Sequence, residues 1–304
     1  MENYFAGLTT EKVNMETVDI DGYSTEKMLN LINEQDMLVP AAVKNEIPNI
    51  SLAVDIIYDS LKNGGRLFYI GAGTSGRLGV LDASECPPTF GTDPELVQGH
   101  IAGGDIALRM AVEGCEDDFE GGSRLIHECG IREKDVVVGI TASGSAPFVV
   151  GAVEEAKKSG AATIGVVNNK NTKIEEKCDV CISVVVGPEV ITGSTRLKSG
   201  TAQKLVLNML TTAAMIKLGK VFGNMMVDLK ATNKKLLDRA KRIVCTVTGV
   251  TEDAAAEYLE QAKMNAKLAI MMIETGLNAE DAEETLARNN GRLKEAINNV
   301  SRKV

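Results

Sequence analysis

Three loops rich in Gly, Ser and Thr each follow an apolar segment of this 304-residue chain. The first reads Gly71-Ala-Gly-Thr-Ser-Gly-Arg-Leu-Gly79, the second reads Thr141-Ala-Ser-Gly-Ser-Ala-Pro147, and the third covers residues 187–200. Glycine lets a backbone approach an anion closely, hydroxyl groups donate hydrogen bonds to it, and the free N–H groups of a helix N-terminus favour negative charge. The three loops therefore predict a site for one phosphorylated, polyhydroxy ligand.

The first loop also spells G-x-G-x-x-G at Gly71, Gly73 and Gly76, which is a weak indication of a dinucleotide site. Such a site has a full crossover helix after the loop and an acidic residue after the second strand. Pro87 and Pro88 are expected to end the helix early, and the acid is not clearly placed. These departures favour a sugar phosphate, while helix capping by Ser and Thr is the alternative for any single loop.

Two acidic segments hold the candidate groups for proton transfer. Glu85 precedes the two prolines and is predicted to lie at a helix terminus, roughly 15 Å along the helix axis from Ser75. That distance is too long for both residues to hold one phosphate, but a second subunit could bring its own Glu85 to the ligand. The second segment, 102–118, is predicted as a helix that ends in carboxylates, and charge alone is typical of a solvated acidic turn. The carboxylates at the end of this segment are those of Glu113, Glu116, Asp117 and Asp118, and Glu120 follows just beyond it.

Composition limits the class of protein. The chain is 44% hydrophobic and 25% charged, as in ordinary globular proteins, and its net charge of -9 argues against binding to nucleic acid or anionic membranes. The first residues lack the pattern of a signal peptide, and no apolar run reaches the ~18 residues of a membrane span. Six scattered cysteines, with a lone Cys178-x-x-Cys181, favour partly buried thiols over a metal or redox site. We therefore expect a cytoplasmic protein without a metal.

Five short apolar segments alternate with helical patterns, which is typical of a parallel sheet covered on both faces. The first strand precedes Gly71, and the others are expected at 96–101, 136–141, 162–167 and 180–186. The pattern predicts a doubly wound, three-layer αβα sandwich with a five-stranded parallel sheet. Ligands bind at the carboxyl ends of the strands in such sheets, so the three loops are expected to meet in one crevice.

The composition changes after the last predicted strand. An apolar helix is expected over 201–218, and from about residue 240 only helical patterns rich in Ala, Glu and Lys remain. We predict a catalytic domain with N-terminal helices over residues 1–240 and a small all-helical, UBA-like domain over residues 241–304.

The first loop continues into Leu81-Asp-Ala-Ser-Glu-Cys-Pro-Pro-Thr-Phe-Gly91, and this long segment resembles the sugar isomerase (SIS) domain of the N-acetylmuramic acid 6-phosphate etherases. The resemblance covers nearly the whole chain and includes residues 101–104, 111–117, 190–204 and 221–228. The same domain occurs in aldose-ketose isomerases, in transcription factors that sense sugar phosphates and in the glucokinase regulatory protein, which is also similar in its helical tail.

The resemblance implies cleavage of the D-lactyl ether of N-acetylmuramic acid 6-phosphate with water, in amino-sugar catabolism and peptidoglycan recycling. The products are N-acetylglucosamine 6-phosphate and D-lactate. Opening of the sugar exposes an aldehyde at C1, which acidifies the C2 proton. Removal of that proton expels lactate from C3, and water then adds to the unsaturated aldehyde. The chemistry needs an acid and a base near C2 and C3, and no metal or redox cofactor.

The resemblance also implies roles for particular residues. Glu85 is expected to protonate the departing lactate oxygen and later to deprotonate the water, and Glu116 is expected to take the C2 proton. For Glu116 this outweighs the solvated-turn interpretation. The family's dimer, in which two chains share one site, answers the distance problem of Glu85. Phosphate or substrate binding is implied for Gly73, Thr74, Ser75, Ser143, Ser145, Ser194 and Thr195.

Two positions depart from a simple transfer of these roles. Many sugar isomerase domains read Ser-Gly-x-Thr in the second loop, whereas this chain has Ala146 in place of Thr, so Ser145 is the candidate substitute. Lys204 is a candidate charge partner for the phosphate or the lactate carboxylate, with a surface-exposed amine on an aliphatic stem as the alternative.

Two other classes of function stay open. A sugar-phosphate isomerase would exchange aldose and ketose without loss of a C3 substituent. A regulatory protein would bind a sugar phosphate without turnover and dock a partner through the helical tail.

Overall fold

A computed structural model describes residues 7–228 and 234–301 of the chain. By their contacts the described residues form two compact units. The first unit comprises Met1–Ser84 and Glu95–Thr211, and the second comprises Glu85–Pro94 and Thr212–Val304.

A five-stranded parallel sheet forms the centre of the first unit. Its strands are β1 (Leu67–Gly71), β2 (Val97–Ile101), β3 (Val136–Ile140), β4 (Ala162–Val167) and β5 (Val180–Ser183). The strand order is β2-β1-β3-β4-β5, and all neighbours are parallel. The helices that lie or begin in this unit are α1 (Thr25–Asp36), α2 (Leu38–Asn45), α3 (Ile47–Lys62), α4 (Gly73–Phe90), α5 (Ile106–Arg109), α6 (Phe119–Glu128), α7 (Pro147–Lys158) and α8 (Lys198–Lys217). The predicted αβα sandwich is confirmed.

The register of the central strands places their loops at one edge of the sheet. Every residue of β1 and β3 is buried, as expected for strands covered by helices on both faces. Gly71 pairs with Ile101 on one side and with Ile140 on the other, so three strands end level with one another. The loops that follow β1 and β3 therefore start side by side.

An ion pair joins the amino-terminal ends of β1 and β3, at the edge of the sheet away from the three loops. Nη2 of Arg66 lies 2.7 Å from Oδ2 of the buried Asp135, and the backbone N–H of Arg66 donates to Oδ1 at 2.9 Å. Because each residue directly precedes its strand, this contact fixes where both strands begin.

The predicted helix end at Glu85 is wrong, because α4 continues through Pro87 and Pro88 to Phe90. The fixed φ of proline is compatible with a helix, although each proline removes one N–H donor. The helix resumes its normal hydrogen bonding after them, since the N–H of Gly91 donates to the carbonyl of Pro87 at 3.0 Å. Gly91 has a φ of +64°, and this left-handed conformation ends the helix. Glu85 therefore lies inside α4.

The helix predicted over 102–118 is also wrong beyond its first turn. Within residues 102–118 the only α-helical segment is α5, from Ile106 to Arg109. Met110 is extended, and Gly114 has a φ of +78°, so the chain leaves the helix before the acidic residues. Glu116 lies instead on a short 3-10 helix, Cys115–Asp117.

The second unit contains a small antiparallel hairpin and five helices in its described C-terminal part. The hairpin strands are β6 (Val221–Phe222) and β7 (Met225–Met226). The helices are α9 (Lys234–Thr248), α10 (Glu252–Gln261), α11 (Ala266–Thr275), α12 (Ala279–Arg288) and α13 (Leu293–Ser301). The helical character predicted for the C-terminal region is confirmed. The domain boundary at residue 240, which falls within α9, and the UBA-like label stay predictions.

A buried lysine hydrogen-bonds to three separate segments of the second unit. Nζ of Lys267 donates to Oδ2 of Asp228 at 2.6 Å and to the carbonyls of Gly219 and Gly291, both at 2.9 Å. Burial lowers the pKa of Lys267, and the carboxylate of Asp228 opposes that shift. Across the described part of the chain, no helix combines the length and apolar character that crossing a membrane requires.

Candidate active site

A pocket of about 290 Å³ lies at the carboxyl ends of β1 and β3, within the first unit. All three predicted loops contribute to its lining, together with two carboxylates. The polar side chains and loop glycines that line it are Glu11, Gly73, Thr74, Ser75, Glu116, Thr141, Ser143, Gly193 and Thr195. The three loops thus meet in one crevice, as the strand pattern predicted.

The first loop turns directly from β1 into α4, and its glycines make that turn possible. A Cβ on Gly76 would lie 2.6 Å from Cγ1 of Ile101, and a Cβ on Gly71 would lie 2.6 Å from the backbone nitrogen of Gly76. Helix α4 begins at Gly73, so its first-turn N–H groups have no partner within the helix, and Gly73, Thr74 and Ser75 line the pocket. This arrangement favours an anion.

The hydroxyl of Ser75 is tied to a buried amide network. Oγ of Ser75 donates to Oε1 of Gln203 at 2.9 Å, and Nε2 of Gln203 donates to Oδ1 of Asn168 at 3.0 Å. Nδ2 of Asn168 donates in turn to the carbonyl of Val184 at 2.9 Å. Gln203 and Asn168 were not predicted as site residues, because their partners are distant in sequence and leave no local signal.

In the second loop Ser143 lines the pocket and Ser145 supports it. Oγ of Ser145 donates to Oγ of Ser143 at 3.1 Å, and the N–H of Ser145 donates to the same atom at 3.3 Å. Ser145 is buried and is not among the pocket-lining residues, whereas Ala146 is. Direct phosphate binding by Ser145 stays a prediction.

Helix α7 begins behind this loop without a side-chain cap. Ala146 is its N-cap residue and makes no side-chain hydrogen bond, and Pro147 at the first position has no N–H to satisfy. Since Ala146 also lines the pocket, a second helix N-terminus adds its partial positive charge there.

In the third loop Gly193 and Thr195 line the pocket, and Ser194 does not. The loop ends at α8, where the buried carboxylate of Glu189 accepts hydrogen bonds of 2.9 Å from the N–H groups of Lys198 and Ser199. The side chain of Lys198 is buried, and its Nζ donates to Oε1 of Gln35 at 2.8 Å. Burial lowers the pKa of Lys198, and Glu189 opposes that shift.

Glu116 is the predicted catalytic residue that the structure places in this pocket. Its side chain remains accessible to solvent, as a group that exchanges protons with a ligand must be. Desolvation of the carboxyl and, secondly, the charge of Asp117 raise the pKa of Glu116. A raised pKa makes its carboxylate a stronger base.

Two predicted residues are placed elsewhere. Glu85 is exposed on α4 and belongs to the second unit. Lys204 is exposed on α8. When the Asn208 amide is oriented so that both of its ends have a partner, its oxygen accepts a hydrogen bond of 2.9 Å from Nζ of Lys204. The same amide donates to Oδ1 of Asp82 at 3.1 Å. The functional roles of Glu85, Ser194 and Lys204 stay predictions.

Glu11 is the pocket residue that sequence reasoning missed. It lies on a short 3-10 helix, Thr9–Glu11, far along the chain from the three loops. Its position depends on Asn169, whose Oδ1 accepts a hydrogen bond of 2.7 Å from the N–H of Thr9. These two residues are 160 positions apart, so no sequence pattern joins them.

The cysteines take no part in this pocket. Cys178 and Cys181 are both half-buried, in agreement with the prediction of partly buried thiols, and all six cysteines are free. Over residues 7–228 and 234–301, no three His, Cys, Asp or Glu side chains are grouped so that they could hold a metal ion.

Comparisons with known proteins agree with this fold. Residues 49–157 match the family model of the glucokinase regulatory protein N-terminal SIS domain. Residues 223–275 match the model of the C-terminal lid domain of glucokinase regulatory protein. A solved phosphoheptose isomerase from Francisella tularensis gives a TM-score of 0.51 at 20% identity, covering 64% of this chain and 100% of that chain, which shows the fold alone.

Curated relatives cover nearly all of the chain. The N-acetylmuramic acid 6-phosphate etherase of Clostridium acetobutylicum is 58% identical over 297 residues, which are 98% of each protein. The protein of the same name from Caldanaerobacter subterraneus subsp. tengcongensis is 54% identical over 95% of each. With such identity over almost the full length, this chain belongs to the N-acetylmuramic acid 6-phosphate etherase family.

Proposed function

We propose that the protein is a carbon–oxygen lyase that cleaves the D-lactyl ether of N-acetylmuramic acid 6-phosphate with water. The products are N-acetylglucosamine 6-phosphate and D-lactate. The observation that carries the proposal is that the Glu116 carboxylate lies in the same pocket as hydroxyl groups from three loops, in a chain of the etherase family.

The phosphate is held at the end of the pocket where helices α4 and α7 begin. The first-turn backbone of Gly73, Thr74 and Ser75 and the hydroxyls of Thr74, Ser143 and Thr195 supply its hydrogen-bond donors. Ser145 acts indirectly by holding Ser143. For Ser194 a direct role rests on the family resemblance alone, and for Lys204 it rests on the charge of its amine.

The first chemical step is an elimination across C2 and C3 of the ring-opened sugar. The carboxylate of Glu116 removes the proton from C2, which the C1 aldehyde acidifies. Electrons of the C2–H bond form the C2–C3 double bond, and the C3–O bond breaks. Glu85 gives its proton to the departing lactate oxygen, so lactate leaves as an alcohol rather than as an alkoxide.

The second step adds water to the unsaturated aldehyde. Glu85, now ionised, takes a proton from the water as its oxygen bonds to C3, and C2 receives a proton from Glu116. Both glutamates return to their starting protonation states. The oxygen of the C3 hydroxyl group therefore comes from water, while the lactate keeps the original ether oxygen.

We further propose that the enzyme acts as a homodimer in which Glu85 of a second copy completes the site. This assignment is supported by the helical distance between Glu85 and Ser75, which separates the acid from the phosphate loop on its own chain. A cytoplasmic location and a role in peptidoglycan recycling fit the substrate and the six free thiols.

The decisive experiment incubates the purified protein with N-acetylmuramic acid 6-phosphate in D₂O and, separately, in H₂¹⁸O. We expect release of D-lactate, deuterium at C2 and ¹⁸O at C3 of the sugar product, with no ¹⁸O in the lactate hydroxyl. Glu116→Gln should lose exchange at C2, and Glu85→Gln should block elimination while it retains binding of the sugar phosphate. Glu113→Gln, from the same acidic segment but outside the pocket, serves as the matched control.

Three outcomes would contradict the proposal. Aldose-ketose exchange without lactate release identifies an isomerase, and binding without any turnover identifies a regulatory protein. Exchange at C2 at the parental rate in Glu116→Gln removes that residue as the base.

A further inference from the structure

Glu11 is the pocket carboxylate to which the proposed reaction assigns no role. It shares the pocket with Thr74, Thr195 and Glu116. Its Oε2 lies 3.7 Å from the position that a Cβ on Gly193 would occupy. Gly193 has a φ of +77°, so the third loop passes close to Glu11 with no side chain between them.

Asn169 anchors the short helix that carries Glu11 to the second loop. Its Nδ2 donates to Oγ1 of Thr10 at 3.1 Å and to the carbonyl of Ala142 at 2.9 Å, and its Oδ1 accepts from the N–H of Thr9 at 2.7 Å. Both Asn169 and Thr10 are buried. One amide therefore joins the short helix that carries Glu11 to the second phosphate loop, so the backbone of that helix is held beside the pocket.

The charge of Glu11 determines which part of a ligand it can face. A carboxylate repels a phosphate dianion and only accepts hydrogen bonds when ionised. Hydroxyl and amide N–H groups of a sugar are donors, and hydrogen bonds to an ionised acceptor are stronger than those between neutral groups. The pocket thus has donors from three loops for the phosphate and an acceptor for the remainder of the ligand.

We propose that Glu11 binds the hydroxyl or amide donors of the sugar and makes the pocket select a sugar phosphate over free phosphate. The identity of the sugar rests on the proposed function, but the inference concerns binding and does not require turnover.

The test measures the affinity of the full chain for N-acetylglucosamine 6-phosphate and for inorganic phosphate by calorimetry. In Glu11→Gln we expect the affinity for the sugar phosphate to fall about 10-fold or more. The affinity for inorganic phosphate should stay the same or rise, because a negative charge has been removed. Glu113→Gln, the matched control, should change neither affinity.

Glu11→Asp is a second variant that keeps the charge and withdraws the carboxylate by one methylene. This variant should also lower the affinity for the sugar phosphate and leave the affinity for inorganic phosphate unchanged. Thermal unfolding is used to check that each variant is folded. An equal loss of affinity for both ligands would make Glu11 a structural residue. Unchanged affinity for both would exclude Glu11 from ligand recognition. Either result overturns the inference. Absence of D-lactate release by the parent protein would contradict the proposed function alone, because the affinity ratio is measured without turnover.

Discussion

Oγ of Ser75 donates a hydrogen bond of 2.9 Å to Oε1 of Gln203, and both side chains are buried. Ser75 is in the first turn of α4, and Gln203 is on α8, 128 positions later in the chain. The other end of the Gln203 amide donates to Asn168 at 3.0 Å. The orientation of the first phosphate loop therefore depends on a residue of another helix.

Replacement of Gln203 by Ala should destabilise the protein. It removes the acceptor of Ser75 and the donor to Asn168, and each buried polar group left without its partner costs about 1–3 kcal/mol. We expect a loss of about 2 kcal/mol or more in the free energy of unfolding, measured by urea denaturation. Gln261→Ala, at an exposed position of α10, should change it by less than ~0.5 kcal/mol. Equal losses would contradict the network.

Ser143→Ala should weaken the binding of inorganic phosphate more than Ser75→Ala does. Oγ of Ser143 accepts both hydrogen bonds from Ser145, and in its third contact, at 3.4 Å from Oγ1 of Thr141, either hydroxyl can donate, so the Ser143 proton can turn to a ligand. The proton of Ser75 is already donated to Gln203. A hydrogen bond to a charged group contributes roughly 1.5 kcal/mol or more, so we expect about a 10-fold loss for Ser143→Ala by calorimetry. A larger loss in Ser75→Ala would show that its hydroxyl turns toward the phosphate.

Gly144→Ala should disrupt the second loop. Gly144 has a φ of +70°, and a Cβ there would lie 2.3 Å from Cβ of Thr172. Gly130→Ala is the control, because Gly130 has a φ of +56° with open space around it. Both variants carry backbone strain, but only Gly144→Ala adds the clash. We expect sugar-phosphate affinity to fall at least 10-fold in Gly144→Ala and to be retained in Gly130→Ala, and similar affinities would contradict the structure of the loop.

Asp135→Asn should destabilise the sheet. It leaves the guanidinium of Arg66 without the carboxylate that holds the beginnings of β1 and β3. Because Asp135 is fully buried while 24% of the Arg66 side chain is exposed, we expect a loss of about 2 kcal/mol in the free energy of unfolding, measured by urea denaturation. The exposed pair of Glu284 and Arg288 offers the comparison, and Glu284→Gln should cost less than ~1 kcal/mol. Equal losses of unfolding free energy in the two variants would contradict a larger contribution from the pair of Arg66 and Asp135.

The pH dependence of kcat/KM should reveal the environment of Glu116. As the base it must be ionised, so activity is lost as pH falls through its pKa, which desolvation and, secondly, the charge of Asp117 raise above the usual value of a glutamate. Asp117→Asn removes the second cause and should move this acidic limb to lower pH, while Glu113→Gln should leave it in place. A limb that stays fixed in Asp117→Asn would show that Glu116 does not control it.

The local order of residues determined much of this protein. Apolar segments that end in Gly, Ser and Thr predicted the five-stranded parallel sheet and the crevice where the three loops meet, because a strand and the loop after it are adjacent in the chain. The acidic segment around Glu116 could likewise be found by its composition and its resemblance to the etherases. The same local reasoning was wrong at Pro87 and Pro88, where the α4 helix continues despite two missing donors.

Only the tertiary structure decided which side chains face the pocket together. Glu11 reaches it because Asn169 bonds to Thr9, 160 positions away, and Ser75 is held by Gln203 on another helix. The positions of Ser143 and Ser145, one lining the pocket and one buried behind it, also follow from packing. Hydrogen bonds between residues that are distant in the chain depend on where the folded elements lie, so they cannot be predicted from the sequence around either partner.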